Sequence, residues 1–314
     1  MELKNEPKIG LELSLKKTLV ITTILAVLLS LGVFMYTNLS STPDTFAGTQ
    51  GTPTFTCYGP AGIGDNTTNR FCYDLDSLNY EDDDLISSIS NIGGNGTAWS
   101  QSTTANQPAF QSGTSAMNGH PILEFDGTND YLQMADQNDL NKSASTERTY
   151  IVVIRTSTDI SSRQVIYEEG GATRGINIYI YNSKLYVAGW NRANDGADAP
   201  WDFKGIDSTI TPTTEYIITM VYDGSSDNTT SGRILAYMNG SLMGTANGVG
   251  KLYGHGDDIG LGAMNRNSYF ENGNGSGNGY YYEGDLAAFI QFNYALLKQK
   301  IGPFIEPSKS SITF

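Results

Sequence analysis

"GINIYIYNSKLYVAGW", residues 175–190, alternates apolar and polar side chains with the period of an extended strand. Ile176, Ile178 and Ile180 fall on one face, and Asn177, Tyr179 and Tyr181 fall on the other. Asn182-Ser183 supplies turn residues, after which Leu185 and Val187 resume the apolar face, so the stretch predicts a hairpin with one core side. "GRILAYMNGSLMGTA" (232–246) repeats the pattern around Asn239-Gly240, a dipeptide that accepts the positive φ angles of a tight turn. "EYIITMVYDGS" (215–225) and "LAAFIQFNYAL" (286–296) add strands bounded by turn residues. Past residue 36 a helical period shows only as a short turn at "ALLKQKIG" (295–302), and no repeat of 20 to 50 residues is visible. Many strands with Gly/Asn turns between them predict an all-β sandwich or barrel.

Outward from these strands the chain changes character. It has 314 residues, 33 acidic and 19 basic, and only 17% of them are charged, so its polarity comes from Asn, Ser and Thr. "TLVITTILAVLLSLGVFMY" (18–36) carries no charge over a length that crosses a bilayer as a helix. Lys16 and Lys17 precede it and no Lys or Arg follows before Arg70, which puts residues 1–17 in the cytoplasm and the remainder outside. Two fates stand open for this segment: a retained anchor, or a signal cut near Ala47 in "TFA" (45–47). A leader cut after Gly10 would instead make the apolar helix the spine of a filament, but Lys16 and Lys17 would then lie inside that spine, where charge is costly. Residues 37–56, rich in Ser, Thr, Pro and Gly, read as a flexible stalk.

Residues 18–314 hold 15 basic and 30 acidic side chains, a balance that repels phosphate backbones and excludes nucleic acid as a partner. Cys57 and Cys72 are the only cysteines, and in an exported chain they read as one loop-closing disulfide. Neither histidine lies near them in sequence, which argues against a cysteine metal site.

Four stretches in this order resemble the concanavalin A-like lectin/glucanase superfamily, in its laminin G-like, pentraxin-like branch. "NGHPILEFDGTNDYLQM" (118–134) looks like the opening strand, "TYIVVIRTS" (149–157) the second, "RILAYMNGSLMG" (233–244) the hairpin, and "YYEGDLAAFIQFNYALL" (281–297) the closing strand. "GPAGIGDNTTNRFCYDLDSL" (59–78) and "QPAF" (107–110) are similar to a lead-in before such domains, so residues 57–117 read as lead-in and 118–314 as the sandwich. The resemblance implies two antiparallel sheets packed as a jelly roll, a fold that hosts lectins, adhesion modules and glucanases alike. It also implies a structural calcium between first and last strands, for which Asp126, Asp130 and Asp285 are the matching positions.

A retaining glucanase of this superfamily needs Glu-x-Asp-x-x-Glu on one strand, with two carboxylates about 5 Å apart. Here the stretch is Glu124-Phe125-Asp126-Gly127-Thr128-Asn129, and the acid/base position holds an amide that donates no proton at neutral pH. The reading is therefore not an enzyme, with Phe125 in the core and Asp126-Gly127 in a turn. His120 and His255 sit in loop-like contexts and serve no nucleophile; Asp257-Asp258 reads as a solvated turn. Sugar sites combine an aromatic platform with Asp, Asn or Arg, and "WNRANDGADAPWDFKG" (190–205) brings Trp190, Arg192, Asn194, Asp195 and Trp201 together. A second aromatic-polar loop holds Tyr269 and Tyr280 to Tyr282. The expected function is a secreted or cell-surface recognition module for glycans or a partner protein, the alternative a homo-oligomeric coat or pilin-like filament.

Overall fold

The computed structural model describes residues 70–75, 78–91, 97–113, 117–195, 200–225 and 230–296. The expected cytoplasmic segment, apolar helix, stalk and Cys57 lie outside these residues, as does most of the C-terminal turn. No helix among the described residues is long and apolar enough to cross a membrane.

The described chain is built of strands with a few short helical turns. β1 (Arg70–Asp74), β2 (Ser88–Ser90), β3 (Ala98–Ser100) and β4 (Ala109–Gln111) come first, then β5 (Ile122–Asp126) and β6 (Leu132–Met134). Longer strands follow: β7 (Glu147–Thr156), β8 (Gln164–Gly170), β9 (Arg174–Tyr181), β10 (Lys184–Asn191), β11 (Asp202–Thr209), β12 (Glu215–Asp223), β13 (Gly232–Met238) and β14 (Ser241–Val249). β15 (Ile259–Leu261), β16 (Asn267–Phe270), β17 (Gly273–Ser276) and β18 (Glu283–Phe292) complete the set.

Two eight-stranded antiparallel sheets result. One runs β14-β13-β12-β7-β18-β5-β4, with β1 also on β18; the other runs β11-β10-β9-β8-β15-β6-β3-β2. Their facing sides form one core, in which Ile176, Ile178 and Ile180 of β9 join Tyr150, Val152 and Ile154 of β7. Trp99 stands at its centre, edge-on to Phe289 at 5.7 Å. This is a β-sandwich, as the alternation in residues 175–190 predicts. Both foreseen hairpin turns have the required conformation: Asn182 and Ser183 have φ of 51° and 59°, Asn239 and Gly240 of 48° and 77°.

The lead-in is part of the sandwich. β1 pairs with β18 through Cys72↔Ile290, and β4 pairs with β5, so the boundary expected at 117/118 cuts through a hydrogen-bonded sheet. Periodicity could not show this, since β2, β3 and β4 have three residues each.

Three features position the functional end. A register shift between Val165 and Tyr167 lets Tyr167 and Glu169 face the core while Glu168 lies opposite Asn177 on the outer side. The β16–β17 hairpin then packs across β8 and β9, covering that outer face. Arg163 fastens it, its guanidinium 4.4 Å from the Phe270 ring centre and 4.3 Å from that of Tyr181, with Glu271 at 2.9 Å.

Candidate functional site

Of the five residues expected to bind ligand, the structure keeps three at the surface. Trp190 is fully buried and donates its indole N–H to the Gly171 carbonyl at 2.8 Å; a Cβ on Gly175 would stand 2.6 Å from its ring. Trp201 is 4% exposed, donates to the Lys251 carbonyl at 3.1 Å and stacks near Tyr222. Neither indole presents a face to solvent. Both are core residues that pin one loop to another, which corrects the expected platform.

Arg192, Asn194 and Asp195 remain on the rim. Asp195 pairs with Arg174, whose Nε also donates to Asn191 Oδ1 at 3.1 Å. Asn191 returns a bond from Nδ2 to Asp195 Oδ2 at 3.1 Å. Arg192 lies 4.1 Å from the Tyr269 ring centre and donates to the Ala172 carbonyl and Asn274 Oδ1 at 3.1 and 3.2 Å. Asn194 is exposed beside them. Two planar guanidiniums are thus fixed by charge-assisted bonds at the end of the second sheet.

Two loops invisible as a pair in sequence close a cavity of about 310 Å³ beside this rim, lined by Gly171, Ala172, Thr173, Arg174, His255 and Asp257 among others. Gly170 makes the bend possible: its φ is +114°, and a Cβ there would meet the Arg174 carbonyl at 2.2 Å and the His255 ring at 2.9 Å. His255 Nδ1 is 2.8 Å from the Tyr253 carbonyl, and its Nε2 stands 3.7 Å from Glu169 Oε1. Glu169 is fully buried and accepts from the hydroxyls of Tyr150 at 2.9 Å and Tyr167 at 2.7 Å. Burial alone would raise its pKa, yet His255, the Arg148 charge and the Tyr167 hydroxyl hold it below the ordinary value. The cavity therefore rests on a buried charged network. Its sequence signals were "YEEGG" (167–171) and "GHGDD" (254–258), the second of which reads as a plain turn.

The side chains of the glucanase-like stretch 124–129 are engaged elsewhere. Asp126 Oδ1 accepts from the backbone N–H of Thr128, Asn129 and Asp130 at 2.8, 3.1 and 3.3 Å. Asn129 donates its amide to the Ala105 carbonyl and Asn106 Oδ1, and Phe125 is in the core. Glu124 is exposed on the outer face of the first sheet, opposite Asp285.

The expected calcium residues do not converge as one site. Asp126 and Asp130 share the turn, where burial and the Asp126 charge raise the Asp130 pKa to about 6. Asp285 stands 3.6 Å from Arg155, on the strand position opposite Glu124. Among the described residues no three His, Cys, Asp or Glu side chains are grouped to hold a metal ion. Cys72 is fully buried in β1 and no described cysteine is free. In the second aromatic loop Tyr282 is buried and donates to the Arg155 carbonyl at 2.8 Å, while Tyr280 is 39% exposed.

No protein-family model matches this chain, and no curated protein does. Among solved structures it resembles the binding domain of botulinum neurotoxin serotype D, with a TM-score of 0.50 and 12% identity, over 76% of this chain and 51% of that one. A tryptophan-to-alanine mutant of HCR D/C VPI 5995 is similar at TM-score 0.50 and 12% identity, over 76% and 52%. The binding domain of Paraclostridial Mosquitocidal Protein 1 aligns at TM-score 0.49 and 12% identity, over 76% and 52%. The chain spans about half the length of these structures. At such identity the likeness concerns the fold alone, an all-β sandwich, and does not single out the laminin G-like branch.

Proposed function

We propose that the chain is a non-catalytic recognition module that binds a polar ligand, a glycan foremost, at the loop end of the second sheet. The observation that carries this reading is the rim itself: Arg174 locked by Asp195 and Asn191, and Arg192 held over Tyr269, both beside a cavity of about 310 Å³. Such a rim binds with little ordering cost, because its side chains are already fixed. Guanidiniums and carbonyls there suit vicinal hydroxyls or a carboxylate, and Tyr269 offers an aromatic edge. The neighbour at TM-score 0.50 is named a binding domain, and a binding role agrees with that name.

The motif order supports a laminin G-like sandwich, and the uncharged stretch 18–36 with Lys16 and Lys17 before it supports display outside the cell, on an anchor or after cleavage near Ala47. Cys57 would close onto Cys72 on export. An array of glycans probed with the full-length chain, in parallel with Arg192→Ala and Arg174→Ala, tests the site. We expect retained folding and at least tenfold weaker binding in each variant. Binding unchanged in both, or turnover of a bound glycan, would remove the reading.

A further inference from the structure

The outer face of β8, beneath the β16–β17 hairpin, holds two polar atoms without partners. Glu168 is fully buried; its Oε1 accepts the Asn265 N–H at 2.8 Å, and its Oε2 has no hydrogen-bond partner. Asn177 is equally buried and directly opposite on β9. Its Nδ2 donates to Ser268 Oγ and to the Tyr269 carbonyl, both at 3.0 Å, and its Oδ1 has no partner. An amide flip gives no relief, because it would turn Oδ1 against the Tyr269 carbonyl. Directly opposed strand residues have Cβ atoms about 5 Å apart, so the two side chains rise from one patch of the same sheet face. A buried acceptor left unsatisfied keeps its full desolvation cost, and a carboxylate loses more than an amide.

A third oxygen donor is tied to the same hairpin, Asp257 through Asn267 and Asn177 through Ser268. Asp257 lies three residues before Gly260, which pairs with Glu168, and an added Cβ on Gly260 would be 3.1 Å from Glu168 Oε1. Burial, and then the Asp257 charge, hold the Glu168 carboxyl well above its usual range, although the Asn265 N–H works the other way. Asp257 itself adopts φ +87°, a conformation that costs a non-glycine residue free energy. Its Oδ2 accepts from Asn267 Nδ2 at 3.0 Å, and Arg266 Nη1 is 3.7 Å from Oδ1. Arg266 is 65% exposed and free to swing into solvent. Asp257 and Gly171 also line the cavity, so of the three oxygen donors Asp257 is the one that meets it.

We propose that Glu168 Oε2, Asn177 Oδ1 and Asp257 form a divalent-cation site beneath the β16–β17 hairpin, with calcium the fitting ion. Two carboxylates, an amide oxygen and nearby carbonyls are the hard, flexible oxygen set that calcium takes, with remaining positions filled by water. A cation there satisfies both orphan atoms at once, offsets two adjacent negative charges, and ties β8 and β9 to the 254–257 loop. The site differs from the one expected at Asp126, Asp130 and Asp285, and it does not depend on the glycan reading, since calcium alone is the probe.

The test is titration of chelator-stripped full-length chain with calcium chloride by calorimetry, with melting followed in parallel. The expected result is one equivalent bound at a dissociation constant of about 10⁻⁵–10⁻³ M, from the weak end of sensor sites to the weak end of extracellular ones. Glu168→Gln and Asp257→Asn should each weaken it at least tenfold and abolish the calcium-dependent rise in melting temperature. Asp126→Asn and Asp285→Asn should leave both unchanged. Asp257→Asn, at a partly exposed position, keeps the test valid if Glu168→Gln does not fold. No binding up to 10 mM calcium (about tenfold above the weakest such site) overturns the proposal, leaving a proton shared between Glu168 and Asn177 as the account of the orphan atoms. Binding that persists in both variants, or that is lost instead with Asp126→Asn or Asp285→Asn, overturns it equally.

Discussion

The outer faces of the two sheets carry similar carboxylates and treat them in opposite ways. On the first sheet Glu124, Asp126 and Asp285 lie on adjacent strands near solvent, where backbone N–H groups and Arg155 engage two of them. On the second sheet Glu168 and Glu169 are both fully buried, one beneath the hairpin and one in the core. The sequence motif that attracts a catalytic reading is on the first face. The unusual electrostatics are on the second, and burial makes that difference, because a charge near water is screened and a charge removed from it must find a partner.

The largest contrast should come from removing one charge on each face. Glu169→Gln leaves Arg148 and His255 without their buried counter-charge and replaces one acceptor oxygen facing the two tyrosine hydroxyls. We expect a loss of about 3–5 kcal/mol in urea unfolding, against less than about 0.5 kcal/mol for the exposed Glu124→Gln. Equal effects would erase the distinction between the faces. Trp190→Ala belongs to the same scale: a fully buried indole removed next to Gly175 should cost about 3–5 kcal/mol. A surface platform would lose binding with stability intact, so unchanged unfolding would restore the platform reading.

The fold was legible and the site was not, for a physical reason. Alternation in 175–190 and the Asn239-Gly240 turn are local signals, and the structure has both hairpins, the second with register shifts at Gly232/Arg233 and Ala236/Tyr237. The loop 192–195 was legible as a polar rim because Arg, Asn and Asp cluster within a few positions. Whether Trp190 and Trp201 face out depends on which strands cover them, and that is decided by residues 171, 222 and 251, distant in sequence. The Glu169–His255 pair joins residues 86 apart, and no spacing rule encodes it.

The hairpin that covers the second face offers a more moderate test. Arg163 is 11% exposed at its side chain and sits among four aromatic rings while pairing with Glu271. Arg163→Ala should destabilise the protein by about 1–2 kcal/mol and raise hydrogen exchange in 267–276 before the rest. Uniform exchange along the second sheet would mean that the hairpin does not hold as a separate cover.

On the first face, Asp130 supplies a pH signature. Its folded pKa of about 6 exceeds the ordinary carboxylate value, so its stabilising contribution is full below about pH 4 and is lost as pH rises through about 6. Asp130→Asn should therefore unfold later than the parent at pH 7.5, by about 1–2 kcal/mol, and equally at pH 4. A benefit that grows on acidification would reverse the sign and place the turn carboxylates under a different influence.

Asp285 should give the smallest effect, and for an instructive reason. Burial and the Glu124 charge disfavour its carboxylate, while Arg155 at 3.6 Å favours it, and the balance leaves its pKa raised. Burial thus outweighs the ion pair, and Arg155 reduces its effect without reversing it. Arg155 is 41% exposed, which limits the pair to the weak range of surface ion pairs. Asp285→Asn should then shift unfolding by less than about 1 kcal/mol in either direction, and by the same amount with calcium or with chelator. A shift that appears only with calcium would show that the closing strand does hold an ion, would move the cation from the hairpin face to this one, and would invert the comparison between the two sheets.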